Sequence, residues 1–100
     1  MIRGTTPTHS FTTDIHTSQI KEVKIIYAQA DEIVFCKETA DCFFERNTIY
    51  TTLTQEETFL LDCKKMVQIQ IRVLTLDGKV RSTFVQQVKV EKCLDNEVLT

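Results

Sequence analysis

Residues 66 to 90 read MVQIQIRVLTLDGKVRSTFVQQVKV, and their pattern decides the fold. Val67, Ile69, Ile71 and Val73 alternate with Gln68, Gln70 and Arg72, the period-2 pattern of a strand with one buried face. Asp77-Gly78 then supplies a pair that tolerates positive φ, so the segment predicts a β-hairpin with a two-residue turn. With Leu76 and Lys79 flanking that turn, Thr75 pairs with Val80, Val73 with Ser82, Ile71 with Phe84, Ile69 with Gln86 and Val67 with Val88. These pairs share the core face. The opposite face carries Gln68 with Gln87, Gln70 with Val85, Arg72 with Thr83 and Leu74 with Arg81. Gln86 against Ile69 is a misfit that a bulge at Gln86-Gln87 would repair.

Upstream, IKEVKIIYAQADEIVFCKE (20–38) predicts a second pair of strands around Ala30-Asp31. Val23, Ile25 and Tyr27 lie on one face and Ile26 and Ala28 on the other; past the turn, Val34 and Cys36 alternate with Ile33 and Phe35. Both faces are apolar, as in a strand central to a sheet or one covered by a partner. THSFTT (8–13), the Asp41 to Phe44 segment and NTIYTTL (47–53) complete about seven short strands. A third of the chain is Thr, Val or Ile, with only 3 Ala, and such stiff, branched side chains suit a pleated surface. The expectation is one all-β domain over residues 1–100, an antiparallel immunoglobulin-like sandwich. A small open barrel is the alternative.

In TLTQEETFLLD (52–62), Glu56 and Glu57 form an acid pair. Thr54 stands three residues before Glu57, the capping-box spacing, in which the Thr hydroxyl accepts from the Glu backbone N–H and the carboxylate reaches back to the Thr N–H. One helical turn near residues 55–58 is expected to cross between the sheets, anchored by Phe59 and the leucines. Paired catalytic carboxylates instead need to face one substrate across a cleft, and adjacent Glu side chains point apart.

Other chemistry finds little to build on. Gly4 and Gly78 are the only glycines, which excludes a Gly-rich phosphate loop, and no Ser sits in a nucleophile elbow. His9 and His16 lack chelating spacing and are read as exposed strand or loop residues. Cys36, Cys42, Cys63 and Cys93 contain no chelating pair and are expected to be free thiols, Cys36 in the core. Cys63 beside Lys64 and Lys65 has no positioned base to make it a nucleophile. No catalytic, cofactor or metal residue is assigned, and the chain is not read as an enzyme. A net charge of −2 without a basic cluster argues against a nucleic-acid partner. The N-terminus has no signal-peptide pattern and no apolar run is long enough to span a membrane.

IRGTTPTHSFTTDI, IKEVKIIYAQ, TLTQEETFLLD, VQIQIRVLTLDG and EKCLDNEVL together resemble short proteins encoded by phages and prophages of Gram-positive gut bacteria, over nearly the whole chain. That group brings no catalytic residues to carry over. Its genes commonly lie among tail and baseplate genes, and the expected sandwich is similar in kind to the N-terminal module of phage upper baseplate proteins. The resemblance implies a non-enzymatic structural component of a virion tail, neck or baseplate, assembled in the host cytoplasm and contacting other virion proteins or a second copy of itself. Ile26, Ile33 and Phe35 on the second face of the upstream hairpin, with Gln70, Arg72, Arg81 and Gln87 on the polar face of the final one, are the candidate contact residues; Thr54, Glu57, Asp77 and Gly78 are structural turn residues. The alternative is a small regulator that blocks a host enzyme through an acidic surface, with Glu56-Glu57 or the Asp95-Asn96-Glu97 tail as its candidate.

Overall fold

A computed structural model describes residues 1–83 and 85–100. The strands are β1 (Thr8–Thr12), β2 (Ile20–Gln29), β3 (Glu32–Glu38), β4 (Cys42–Glu45), β5 (Thr48–Thr52), β6 (Val67–Thr75), β7 (Val80–Ser82) and β8 (Gln86–Val88), with one short helix, α1 (Gln55–Phe59), between β5 and β6. All pairings between strands are antiparallel. A small sheet runs β1-β5-β4 and a large one β3-β2-β6-β7, with β8 continuing along β6. The expected all-β sandwich is the fold.

The alternation in β6 does what its period requires: Val67, Ile69, Ile71 and Val73 are all buried, while Gln68, Gln70, Arg72 and Leu74 between them are not. Val23, Ile25 and Tyr27 of β2 join them, and from the small sheet's side Ile49, Leu53 and Leu61 close the core. Each such side chain contributes about 1.5 to 3 kcal/mol by leaving water. β2 is doubly apolar because it is central, held between β3 and β6, whereas β3 is an edge strand.

Ala30 (φ 51°) and Asp31 (φ 63°) form the expected two-residue turn between β2 and β3, with Gln29 and Glu32 flanking it. Both positive φ values are the signature of the primed hairpin turns. The register then slips: Tyr27 faces Phe35 but Ala28 faces Ile33, so Val34 is an extra residue, a β-bulge. Residues on either side of it change faces.

The final hairpin departs from the expected two-residue turn in the same way. Gly78 N–H donates to Thr75 O at 3.0 Å and Thr75 N–H to Lys79 O at 2.8 Å, while Gly78 takes φ 85°. Leu76, Asp77 and Gly78 therefore form a three-residue loop in which glycine occupies the left-handed bulge position. The Thr75 hydroxyl, donating to the Asp77 carboxylate, braces it. Arg72 thus pairs with Ser82, Val73 with Arg81 and Leu74 with Val80, one residue away from the expected register. Further on, Val67 with Val88, Gln68 with Gln87 and Ile69 with Gln86 match it. The register is made up between Ser82 and Gln86 rather than at Gln86-Gln87; the expected Ile71 to Phe84 pair lies outside the described residues.

α1 begins with the capping box that TLTQEETFLLD spells. Glu57 N–H donates to Thr54 Oγ1 at 3.1 Å and Thr54 N–H to Glu57 Oε1 at 2.9 Å. Leu61 plugs the core as expected, but Leu60 faces solvent. Thr58, fully buried, donates its hydroxyl to Thr5 O and accepts from Gly4 N–H, both at 2.9 Å, which fastens the first residues of the chain to α1.

Candidate interaction surface

The two one-residue slips decide which of the seven candidate contact residues share a face. Across the strands, Ile26 stands beside Gln70 and Cys36, Arg72 beside Lys24, and Gln87 beside Gln68, while Ile33 follows Ala28. Directly opposed residues of antiparallel strands point to the same side. Ile26, Ile33, Gln70, Arg72 and Gln87 therefore lie together on the outer face of the large sheet. Ile33 is 63% exposed and Ile26 half-buried. Cys36, expected in the core, lies on this outer face beside Ile26.

Phe35 and Arg81 do not belong to this face. The bulge at Val34 turns Phe35 inward, where its ring stacks on Tyr27 with centroids 4.7 Å apart. The three-residue loop turns Arg81 to the Val73 side, where its guanidinium Nη1 meets both carboxylate oxygens of Asp14 at 3.1 Å. Both are corrections of the sequence-based register, and each has the same cause.

The outer face is chemically mixed. Lys24 has Glu38 on one side and Arg72 on the other, so two cations stand opposite one another on the two central strands. Gln70 donates to Thr83 O at 3.0 Å. Gln68 clasps Asp31, accepting from its N–H and donating to its carboxylate, both at 2.8 Å.

The acid pair is not displayed as a pair. Glu57 is partly buried, and its Oε1 accepts from Lys37 Nζ at 2.7 Å as well as from the Thr54 N–H. Glu56 alone faces solvent. The structural reading of Thr54 and Glu57 stands, and Asp77 and Gly78 are turn residues, though in a three-residue loop that includes Leu76 rather than in the expected two-residue turn.

Between the sheets lies a polar cluster that no sequence motif announced. His9, read as an exposed residue, lies half-buried on the inner face of β1, stacked on Tyr27 with its Nδ1 2.7 Å from the phenol oxygen. Burial lowers the His9 pKa, assisted by the N-terminal ammonium. Burial likewise raises that of Tyr27, with the negative charges of Glu57 and Cys42 adding to it. Burial also raises the Cys42 thiol. The signal was present only as a polar residue in the inward phase of THSFT, and a half-buried histidine next to a tyrosine requires knowledge of which strands stack. His16 is exposed, and its Nδ1 accepts from Ser18 N–H at the start of a 3-10 turn. All four cysteines are free thiols.

A cleft of about 690 Å3 runs along β1 on the open side of the sandwich, with Ile71 and Val73 of β6 as its floor and the Asp14–Arg81 pair at its mouth. Its floor residues are only 3% and 7% exposed, so little apolar surface is left for a small molecule, and its rim is mostly hydroxyl and amide. Among the described residues, no group of three or more His, Cys, Asp or Glu side chains is placed to hold a metal ion, and no helix is long and apolar enough to cross a membrane. Compared with protein-family models and with curated proteins, the chain matches none.

Proposed function

We propose that this chain is a non-enzymatic interaction module of phage origin, a structural part of a virion tail, neck or baseplate, and that it binds its neighbour through the outer face of the large sheet. The observation that carries the reading is the gathering of Ile26, Ile33, Gln70, Arg72 and Gln87 on that one face, which among the described residues no third sheet covers. The sequence resemblance supplies the virion context.

The face also indicates the chemistry of its partner. Like charges directly opposite on a sheet are destabilising; Lys24 has Glu38 on its other side, whereas Arg72 stands between Lys24 and Ser82, so an acidic group of a neighbour would complement Arg72. Ile33 and Ile26 offer an apolar centre next to it, and the glutamines a rim of amides, the layout of a protein contact with an apolar middle and a polar border. The partner is thus a protein surface with an apolar patch flanked by a carboxylate.

Mass spectrometry of purified particles of the parent phage tests the reading: the chain is expected among the virion proteins. Its absence from the particle would sink the virion assignment. An Arg72→Glu variant that assembles as well as the parent would sink the assignment of the face.

A further inference from the structure

The small sheet is one strand narrower than the large one. β1 starts beneath β2, where His9 meets Tyr27, and its far end reaches β7, where Asp14 meets Arg81. Among the described residues β1 has no second strand neighbour, β7 overhangs that edge, and the cleft of about 690 Å3 occupies the place where a fourth strand of the small sheet would lie.

The backbone along that edge is set up for a strand. Leu53 N–H donates to Pro7 O at 2.9 Å and Thr13 N–H to Asn47 O at 2.7 Å, so residues 7, 9, 11 and 13 bond toward β5. Alternation then aims the N–H and C=O groups of Thr8, Ser10 and Thr12 away from β5 and into the cleft. Within β1 the edge carries none of the side-chain and bulge guards seen on β3. β3, the free edge of the large sheet, carries a bulge at Val34 and the inward-pointing Lys37, both devices that block strand addition. THSFT has no charge, proline or bulge.

We infer that this slot receives a single extended peptide segment of another protein, added as a fourth strand beside β1. The occupant must be a lone strand. The cleft is bounded on its other side by Arg81 and Ser82 of β7, which leaves room beside β1 for one strand rather than for a sheet. Because the floor is already largely shielded, the hold comes from main-chain hydrogen bonds to Ser10 and Thr12, as in other strand additions. An uncharged segment with small apolar side chains toward Ile71 and Val73 fits, and the Asp14–Arg81 pair closes one end.

Native-state hydrogen exchange on the free chain gives the first test. The amides of Ser10 and Thr12 are expected to exchange rapidly while those of His9 and Phe11, bonded to β5, are protected. Selection from a random heptapeptide library against the folded chain is then expected to enrich segments that shift the resonances of residues 10–14 and 81–83 and slow Ser10 and Thr12 exchange roughly tenfold or more. Thr12→Pro removes one outward N–H and spares the bonds to β5, so it should abolish this binding with Tm unchanged, since proline is tolerated where the N–H faces away from the ladder. Ser10→Pro makes the same test at the neighbouring outward position. Ser10 and Thr12 amides as protected as that of Phe11 in the free chain would show the slot already filled and overturn the inference. So would a selection that yields no binder, or binders whose shifts map elsewhere.

Discussion

The ammonium of Lys37 lies 2.7 Å from the same Glu57 oxygen that closes the capping box of α1. Lys37 stands opposite Ile25 on the core face of the large sheet, a position where a charge costs stability unless it is paired. The helix that crosses between the sheets delivers the pairing group, and the local cap holds that group still. A short motif thereby acquires a tertiary role: one carboxylate oxygen both starts the helix and neutralises a charge buried on the neighbouring sheet.

Glu57→Gln keeps an acceptor for the Thr54 N–H but leaves Lys37 without an anion. It is expected to cost about 3 kcal/mol, the range for breaking a buried pair from one side, against about 1 kcal/mol for Thr54→Ala, which removes only the cap. Replacing both charges, Lys37→Met with Glu57→Gln, should recover most of the loss. Urea denaturation of the four proteins checks the ordering; equal losses for Glu57→Gln and Thr54→Ala would mean that the pair contributes nothing beyond the cap.

Gln29, at the end of β2 and 6% exposed, uses its side-chain amide as a piece of strand. Its Oε1 accepts from Asp62 N–H at 2.9 Å, and its Nε2 donates to Asp62 O at 2.7 Å and to Lys65 O at 3.1 Å. Gln29→Leu, similar in size, orphans the Asp62 N–H and the Lys65 carbonyl and leaves Asp62 O with only its 3.3 Å bond from Lys65 N–H, and about 2 kcal/mol or more should be lost. Gln29→Glu retains the acceptor and loses both donations, so it should not rescue. Thermal unfolding of both variants checks this; a Gln29→Glu protein as stable as the parent would show that the donated bonds are idle.

What was legible in the sequence follows the range of the interactions. The β6 alternation and the Thr54–Glu57 cap could be read because burial of one face and closure of one helical turn each act within a few residues. Of the seven candidate residues, five share one face of the large sheet. Phe35 and Arg81 were misplaced because periodicity determines a face only while the register holds, and a single extra residue, Val34 in one hairpin and Gly78 in the other, reverses it. Nothing in VFCKE or LDGKV marks the slip, since the bulge depends on how the paired strand twists. Gln29 and His9 were passed over for a different reason. Each is a polar residue facing inward whose partner comes from another part of the fold, Asp62 or Tyr27, and the sequence does not show that they meet.

Ala30 and Asp31 both hold positive φ in the turn between β2 and β3. Alanine is costly there, because its Cβ crowds the backbone by roughly 1 to 2 kcal/mol in the left-handed region. Ala30 is exposed, so Ala30→Gly gives up no packing. A gain of about 0.5 to 1 kcal/mol is expected, part of the strain being offset by the greater freedom of glycine in the unfolded chain. Gly78→Ala, at φ 85° in the other hairpin, should do the reverse by a similar amount. Denaturation midpoints measured side by side test the pair; destabilisation by Ala30→Gly would rule out strain at this turn.

His9 makes stability depend on pH in a direction that its surroundings fix. The ring is half-buried against Tyr27, with Phe11 beside it and Thr51 opposite on β5; the N-terminal ammonium lies near enough to disfavour a second positive charge. Its folded pKa therefore lies below the ordinary value of 6.5 that it regains on unfolding. Between those values the unfolded chain binds more protons than the folded one, so stability rises with pH across the window. The contribution is fully present above about pH 6.5 and is lost as the pH falls through the folded pKa. Protonation also makes Nδ1 a donor, so in the tautomer whose Nδ1 accepts from the Tyr27 hydroxyl that bond is lost. Urea denaturation at pH 7.5 and pH 5.5 is expected to show the parent losing more stability on acidification than His9→Gln does, carboxylate effects being common to both. If the two proteins lose the same amount, the ring does not titrate against the sandwich, and acid sensitivity in this range must come from groups outside this cluster.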